Sequence, residues 1–326
     1  MQEDKIQLLK DAIDELLVES DLDSVISFAC DNVLENGVTH PRVYLLHVRF
    51  AEEKPNVDAL AQFLWKQSVN YALSRKRRKQ FKEQLLKSDS ADLSVTVDIM
   101  QIVRNVFLEF NKLHPHRASE VGEVLAYCIA IRYLNAAQLA AKMSLKTSSN
   151  MPVHGLDGIH AVVDNDALTV YFLESKLSSS ANDGVADYAD SAGKFLTDQK
   201  QYLHEYSLVG DLGNLDTLTG EARSLALQHF DAIAKPEISR RERSIGVVCY
   251  SETKHFSNTI PVSDGAVTAH QVHFSNNFSG ELSHHFGSAL KHLEKQNVDP
   301  NKCRVFFVAV PDVNVLRKKF YEVMGK

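Results

Sequence analysis

Residues 154–177 read HGLDGIHAVVDNDALTVYFLESKL, and this stretch decides the fold. Two apolar runs, at about 158–163 and 168–177, flank Asp164-Asn165-Asp166. Asn and Asp favour tight turns, so the pattern predicts a β-hairpin. Residues two apart on a strand share a face, which aims Glu174 and Lys176 to one side. Asp157 opens the first strand, 17 residues before Glu174. Gly155 and Gly158 flank it and let the backbone bend and approach a ligand closely. An acid two before a lysine occurs five times: Glu3/Lys5, Glu52/Lys54, Glu174/Lys176, Asp198/Lys200 and Glu252/Lys254. Only the third and fifth follow an apolar strand, and Glu252 has no comparable acid in a paired strand before it. The plain alternative for Glu174/Lys176 is a strand-end ion pair.

Outward from the hairpin, a helix is predicted over about 119–135. Glu120 and Glu123 lie three apart on one side of it, beside the apolar face of Val121, Leu125, Cys128 and Ile129. Either could bring a carboxylate to the hairpin. Equally, they could be the solvated acids that a helix start favours. Downstream come a helix at about 184–207, a polar loop at 208–222 and a further helix toward Ile233. Strands follow at 244–250 and 303–310, with a helix near 282–296 between them. Upstream, Ile6, Leu9, Ile13, Leu16 and Leu17 recur at helical spacing, predicting a helix over 5–35 ended by Gly37. A strand is expected at 43–50, a helix capped by Asn56 through Leu73, and another helix over 93–111. Pro115 and the polar stretch to Ser119 mark a boundary. The expectation is an α/β (α+β) chain, with a mostly helical region at 1–116 and the hairpin domain at 117–326.

With 44% hydrophobic and 24% charged residues, the chain has globular rather than disordered composition. No run approaches the ~20 apolar residues of a membrane span, and Met1-Gln2-Glu3-Asp4-Lys5 lacks a signal-peptide start. A cytoplasmic location without membrane contact is therefore expected. The four cysteines lie far apart, which fits reduced thiols. Net charge is −6, yet residues 1–60 alone carry −8 and the remainder +2. Arg75-Lys76-Arg77-Arg78-Lys79 and Lys82 follow at once. Such asymmetry suggests different partners for different parts of the chain. The acidic segment suits a basic protein face. The basic run is either a phosphate contact or a solvated helix surface.

Carboxylates and a lysine converging at a strand end suit phosphodiester hydrolysis. Mg²⁺ takes oxygen ligands and keeps several waters. It stabilises charge on a phosphate and lowers the pKa of an attacking water, while a lysine orients that water.

A helix with glutamate, a hairpin with Asp and Glu-x-Lys, a helix and then a strand is the order of the PD-(D/E)XK restriction-endonuclease-like core. Gly122-Glu123, Lys142-Met143-Ser144-Leu145-Lys146-Thr147, Gly155-Leu156-Asp157-Gly158-Ile159-His160 and Glu174-Ser175-Lys176-Leu177 carry a narrower resemblance. Over about 118–310 the chain resembles the HamA family, the nuclease subunit of the Hachiman anti-phage defence system. The resemblance implies a DNA nuclease working with a partner helicase. It implies that Glu123, Asp157 and Glu174 hold Mg²⁺ (or Mn²⁺) and that Lys176 serves the attacking water. Lys142 and Lys146, with Arg75, Lys76, Arg77 and Arg78, are candidate DNA contacts, and region 1–116 is the candidate helicase anchor. The competing readings are a non-catalytic adaptor on the same fold and a restriction-type or RNA-cleaving enzyme.

Overall fold

The computed structural model describes all residues except 1, 35–36, 39, 88–91, 114–118, 142, 144–155, 165, 199, 201–202, 204–205, 208, 210–213, 219, 231–237, 259, 261–265 and 326. Its frame is a seven-stranded mixed sheet. In chain order the strands are β1 (Ile26–Asp31), β4 (Arg42–Val48), β7 (Ala137–Ala141), β8 (Gly158–Asp164), β9 (Ala167–Ser178), β10 (Ser239–Ser251) and β11 (Cys303–Val310). The pairs β2 (Val33–Leu34) with β3 (Gly37–Val38), and β5 (Phe50–Ala51) with β6 (Lys54–Pro55), form small ladders outside it. Spatial order is β1-β4-β11-β10-β9-β8-β7. The four central strands β4, β11, β10 and β9 run parallel, and the outer strands are antiparallel to their neighbours.

The hairpin forms as its sequence dictates. Gly158 pairs with Leu173 through to Asp164 with Ala167, and Asp166 takes a left-handed φ of 61° at the turn. The central strands carry Val, Ile and Phe on both sides, as strands buried on both faces must.

One face of the sheet packs against α2 (Val57–Ala72), α4 (Ser94–Leu113), α5 (Glu120–Leu134) and α10 (Val313–Val323). Asn56 accepts from the Ala59 amide to cap α2, as its sequence predicts. The other face packs against α6 (Ala181–Thr197), α8 (Ala269–Ser279) and α9 (Leu282–Lys295). Helix α6 lies so close to β10 that a Cβ on Gly246 would meet the Tyr188 ring at 2.7 Å. A smaller core joins the outer strands to α1 (Gln2–Asp14) and α7 (Gly220–Gln228). Helix α3 (Arg75–Lys87) carries the basic run and buries no residue.

Three expectations are corrected. The helix predicted over 5–35 ends at Asp14, and 26–31 is β1. There the β-prone run Val25-Ile26-Ser27-Phe28 pairs with β4, so tertiary pairing overrides the helical pattern. The boundary expected near 116 does not divide the sheet. Strand β4 is hydrogen-bonded to β11, and residues of α2 and α5 share one core. Strand β7, in the stretch between the helix expected over 119–135 and the hairpin, where no strand is expected, completes the far edge of the sheet. Among the described residues no helix is long and apolar enough to cross a membrane.

Candidate active site

Strand β9 alternates strictly, which fixes the site. Tyr171 and Leu173 join the core beneath α5, and Leu177 packs against it. Phe172, Glu174 and Lys176 face α6, where Phe172 meets Phe195 at 4.8 Å between ring centroids. Lys176 Nζ lies 2.7 Å from Glu174 Oε1 and donates to Ser191 Oγ of α6 at 2.9 Å. Their side chains are 22% and 12% exposed, open enough for a ligand to reach them.

Asp157 sits where β8 leaves β9. Its amide donates to Leu173 O at 3.0 Å. Its Oδ2 accepts from both the amide (2.7 Å) and Oγ (2.6 Å) of Ser175. The carboxylate thus closes the ladder at its open end and is held by the residue between Glu174 and Lys176. Gly158 pairs with Leu173 in the last rung of the ladder, and Asp157 lies one residue beyond it with its carboxylate on Ser175.

Glu120 and Glu123 do not form a solvated helix start; both are fully buried. Glu123 Oε2 accepts from Tyr71 OH of α2 at 2.8 Å, and Glu120 Oε2 accepts from Tyr321 OH of α10 at 2.7 Å. Tyr71 OH also lies 3.4 Å from Asp157 O. Burial pushes the Tyr71 phenol well above its usual pKa, and the negative charges of Glu123, Asp157 and Glu120 push it further. Tyr71 therefore stays a neutral donor. No motif in the sequence marks Tyr71 or Ser175. The available signal for Tyr71 is its place on the buried stripe of α2 after Leu60, Leu64 and Ser68, where a tyrosine needs a partner for its hydroxyl.

The expected ligand set is only partly assembled. Among the described residues no three His, Cys, Asp or Glu side chains form a metal-holding group. The reason is the sheet itself: α5 brings Glu123 to the Ser175 face, whereas Glu174 points to the α6 face. Asp157 and Glu174 offer only hard oxygen donors, one from each strand where the ladder opens. That set fits a cation that needs one or two carboxylates and completes its shell with water and phosphate. Glu123 stands behind Asp157, joined to it through Tyr71.

The other candidates separate clearly. Glu252 accepts from the amides of Lys254 and His255 and so caps a turn, while Lys254 pairs with Glu281. Glu252/Lys254 is thus not a second Glu174/Lys176. His160 is fully buried against α5, its Nδ1 bonded to Ala136 O, and burial lowers its pKa to about 4. In α3, Arg75 pairs with Glu15 at 2.9 Å and Lys76 with Asp216 at 3.3 Å. Arg77 lies over the Phe81 ring, and Arg78 donates to Asn70. These four side chains are engaged within the chain. Lys142 and Lys146 lie outside the described residues.

A model of the HamA family matches residues 23–324. The chain belongs to the HamA family. Membership makes it an anti-phage defence protein of the Hachiman system. The match begins before β1 and ends after α10, so both sides of residue 116 fall within one family unit. A comparison with curated proteins finds no match.

Proposed function

We propose that this HamA-family chain is a Mg²⁺- or Mn²⁺-dependent DNA nuclease of the PD-(D/E)XK kind that works with a helicase. The observation that carries the reading is Glu174 and Lys176 on one strand face, with Asp157 held where the strands part by Ser175, the residue between them. Asp157 and Glu174 would hold the cation, with Glu123 behind them. A bound divalent ion would offset charge on the scissile phosphate and make an attacking water more acidic. The chain's own groups do the positioning. Ser175 fixes the Asp157 carboxylate through two bonds. Glu174 and Ser191 hold the Lys176 ammonium, whose charge can orient water and balance developing negative charge. The acidic N-terminal segment is the proposed helicase-docking surface, since complementary charge speeds and orients association.

The test is purified protein, with and without its neighbouring helicase, on plasmid DNA and on RNA, in Mg²⁺ or EDTA. Cleavage of DNA that needs metal and is lost in Glu174→Ala supports the proposal. RNA cleavage alone would change the substrate. One observation favours a non-catalytic adaptor: Lys176 already pairs with Glu174, and Ser175 with Asp157. Metal-independent silence on every substrate, with helicase binding intact, would establish that reading instead.

A further inference from the structure

The four central strands begin at one edge of the sheet, and four arginines stand there. Arg304 of β11 pairs in register with Arg42 of β4. Arg243 and Arg241 of β10 pair with Tyr171 and Thr169 of β9. Alternation puts all four on the face that α5 covers further along, where the core begins at Tyr171, Ile245 and Phe306. Ahead of that core the face opens into a cleft of about 500 Å³ walled by these arginines, His40, Asp164 and Asn301.

The charge in this cleft is lopsided. Among the described residues that line it, Asp164 is the one carboxylate, and Asp299 acts on His40 from beside it; Asp164 accepts from Thr169 Oγ1 and lies 3.5 Å from Arg241. Arg304 lies over the Tyr171 ring at 5.3 Å, and Arg243 donates to the Glu242 carbonyl. Among the described residues, no carboxylate pairs with Arg42 or Arg304. The His40 imidazole is pushed below its usual pKa by burial and by Arg42, Arg243 and Arg304, against an opposite pull from Asp299. Like charges on adjacent strands destabilise a sheet. A chain of net charge −6 does not gather four of them through general basicity. The guanidinium fork is suited to two-point contact with phosphate oxygens.

Round the end of the sheet, on its α6 face, lies a cavity lined in part by Glu174. This cavity, which also contains Phe172 and Phe195, shares Arg243 and Cys303 with the cleft, at the start of β11. We propose that the arginine cleft binds the phosphodiester backbone of a nucleic-acid strand and leads it to the Glu174 site. The direction of travel rests on the nuclease reading; the binding itself does not.

The test is fluorescence anisotropy of labelled single-stranded and duplex DNA with the full chain in EDTA, so that binding is read without cleavage. Arg42→Gln with Arg304→Gln should weaken binding to all sequences alike. The log–log salt slope should fall by about 1.4 on single strands and about 1.8 on duplex, from ~0.7 and ~0.9 per phosphate contact. Asp164→Asn removes a carboxylate from the cleft wall and should tighten binding, a gain that misfolding cannot produce. Glu174→Gln should bind normally. A folded double-arginine variant with parental affinity and slope overturns the proposal. So does a parent chain that ignores DNA but binds polyglutamate, which would make the cleft a dock for an acidic protein. Loss of cutting in Glu174→Gln with normal binding by the arginine variants defeats the cleft and leaves the nuclease. Arginine-dependent binding by a chain that never cuts defeats the nuclease and leaves the cleft.

Discussion

Tyr71→Phe removes one oxygen from a side chain that is 1% exposed and leaves the ring packing intact. The lost hydroxyl donates to a Glu123 carboxylate that is itself 1% exposed. A hydrogen bond to a charged acceptor contributes about 1.5–3 kcal/mol, and a buried acceptor that loses its donor also bears a desolvation cost. The expected destabilisation is therefore about 2–3 kcal/mol, or a fall in Tm on the order of 3–6 °C for a chain of this size. Thermal melts of four proteins give the answer: parent, Tyr71→Phe, Glu123→Ala and the double variant. The two single effects should fall well short of adding, because they remove the same interaction. Metal-dependent cleavage by Tyr71→Phe should also drop, since Tyr71 tethers both Glu123 and the Asp157 backbone. If Tyr71→Phe melts with the parent and the effects add, then Tyr71 does not hold Glu123 and the link from α2 to the site is wrong.

Glu174→Ala and Lys176→Ala should each abolish cleavage with Tm kept, whereas Glu252→Ala should lower stability by about 1 kcal/mol through its lost turn cap and leave cleavage intact, as melts and plasmid nicking will read. Burial holds His47, His160, His229 and His285 at a pKa of about 4, below the ~6.5 of an unfolded chain. The unfolded state therefore takes up protons first. Stability is fully present above pH 6.5 and should be lost between about 6.5 and 4, at up to ~1.4 kcal/mol per unit for each histidine. His160→Gln should make the acid limb of a Tm–pH curve shallower, and an unchanged limb would refute the assignment. Glu3→Lys with Asp11→Lys, both exposed on α1, should slow helicase association in stopped-flow at low salt without moving Tm; unchanged kinetics would place docking elsewhere. In α3, Arg78→Ala should cost stability because Arg78 is half-buried on Asn70. Lys79→Ser and Lys82→Ser should leave Tm unchanged, as a thermal melt of each will tell.

The hairpin, its turn and the helix carrying Glu123 were legible because each depends on neighbours in sequence. Alternation set the face of Glu174 and Lys176, and Asn56 announced the start of α2. What local pattern could not give is which segments meet. The pairing of β4 with β11 joins residues some 260 positions apart, so a polar break near Pro115 read as a boundary while the sheet ran past it. The same holds within the site. Spacing places two glutamates on one side of α5, but that they point at tyrosines from α2 and α10, on the opposite face of the sheet from Glu174, follows only from packing. The arginines of the cleft are scattered at 42, 241, 243 and 304, and no window of sequence holds more than two of them.

Strand β11 follows every other strand of the sheet in the chain, yet it lies between β4 and β10 and bonds to both. A ribosome delivers the chain from its N-terminus. Until β11 is made, β4 and β10 each lack the neighbour that they bond to in the finished sheet. Insertion of this one strand joins the two sides of the sheet and completes the arginine cleft. Such long-range closure is slow, and its precursors expose unpaired edges that invite aggregation. For the cell this makes translation itself a timing device. Until the codons for 303–310 have been read, the polypeptide has its hairpin carboxylates but lacks the arginine and the strand that complete the cleft.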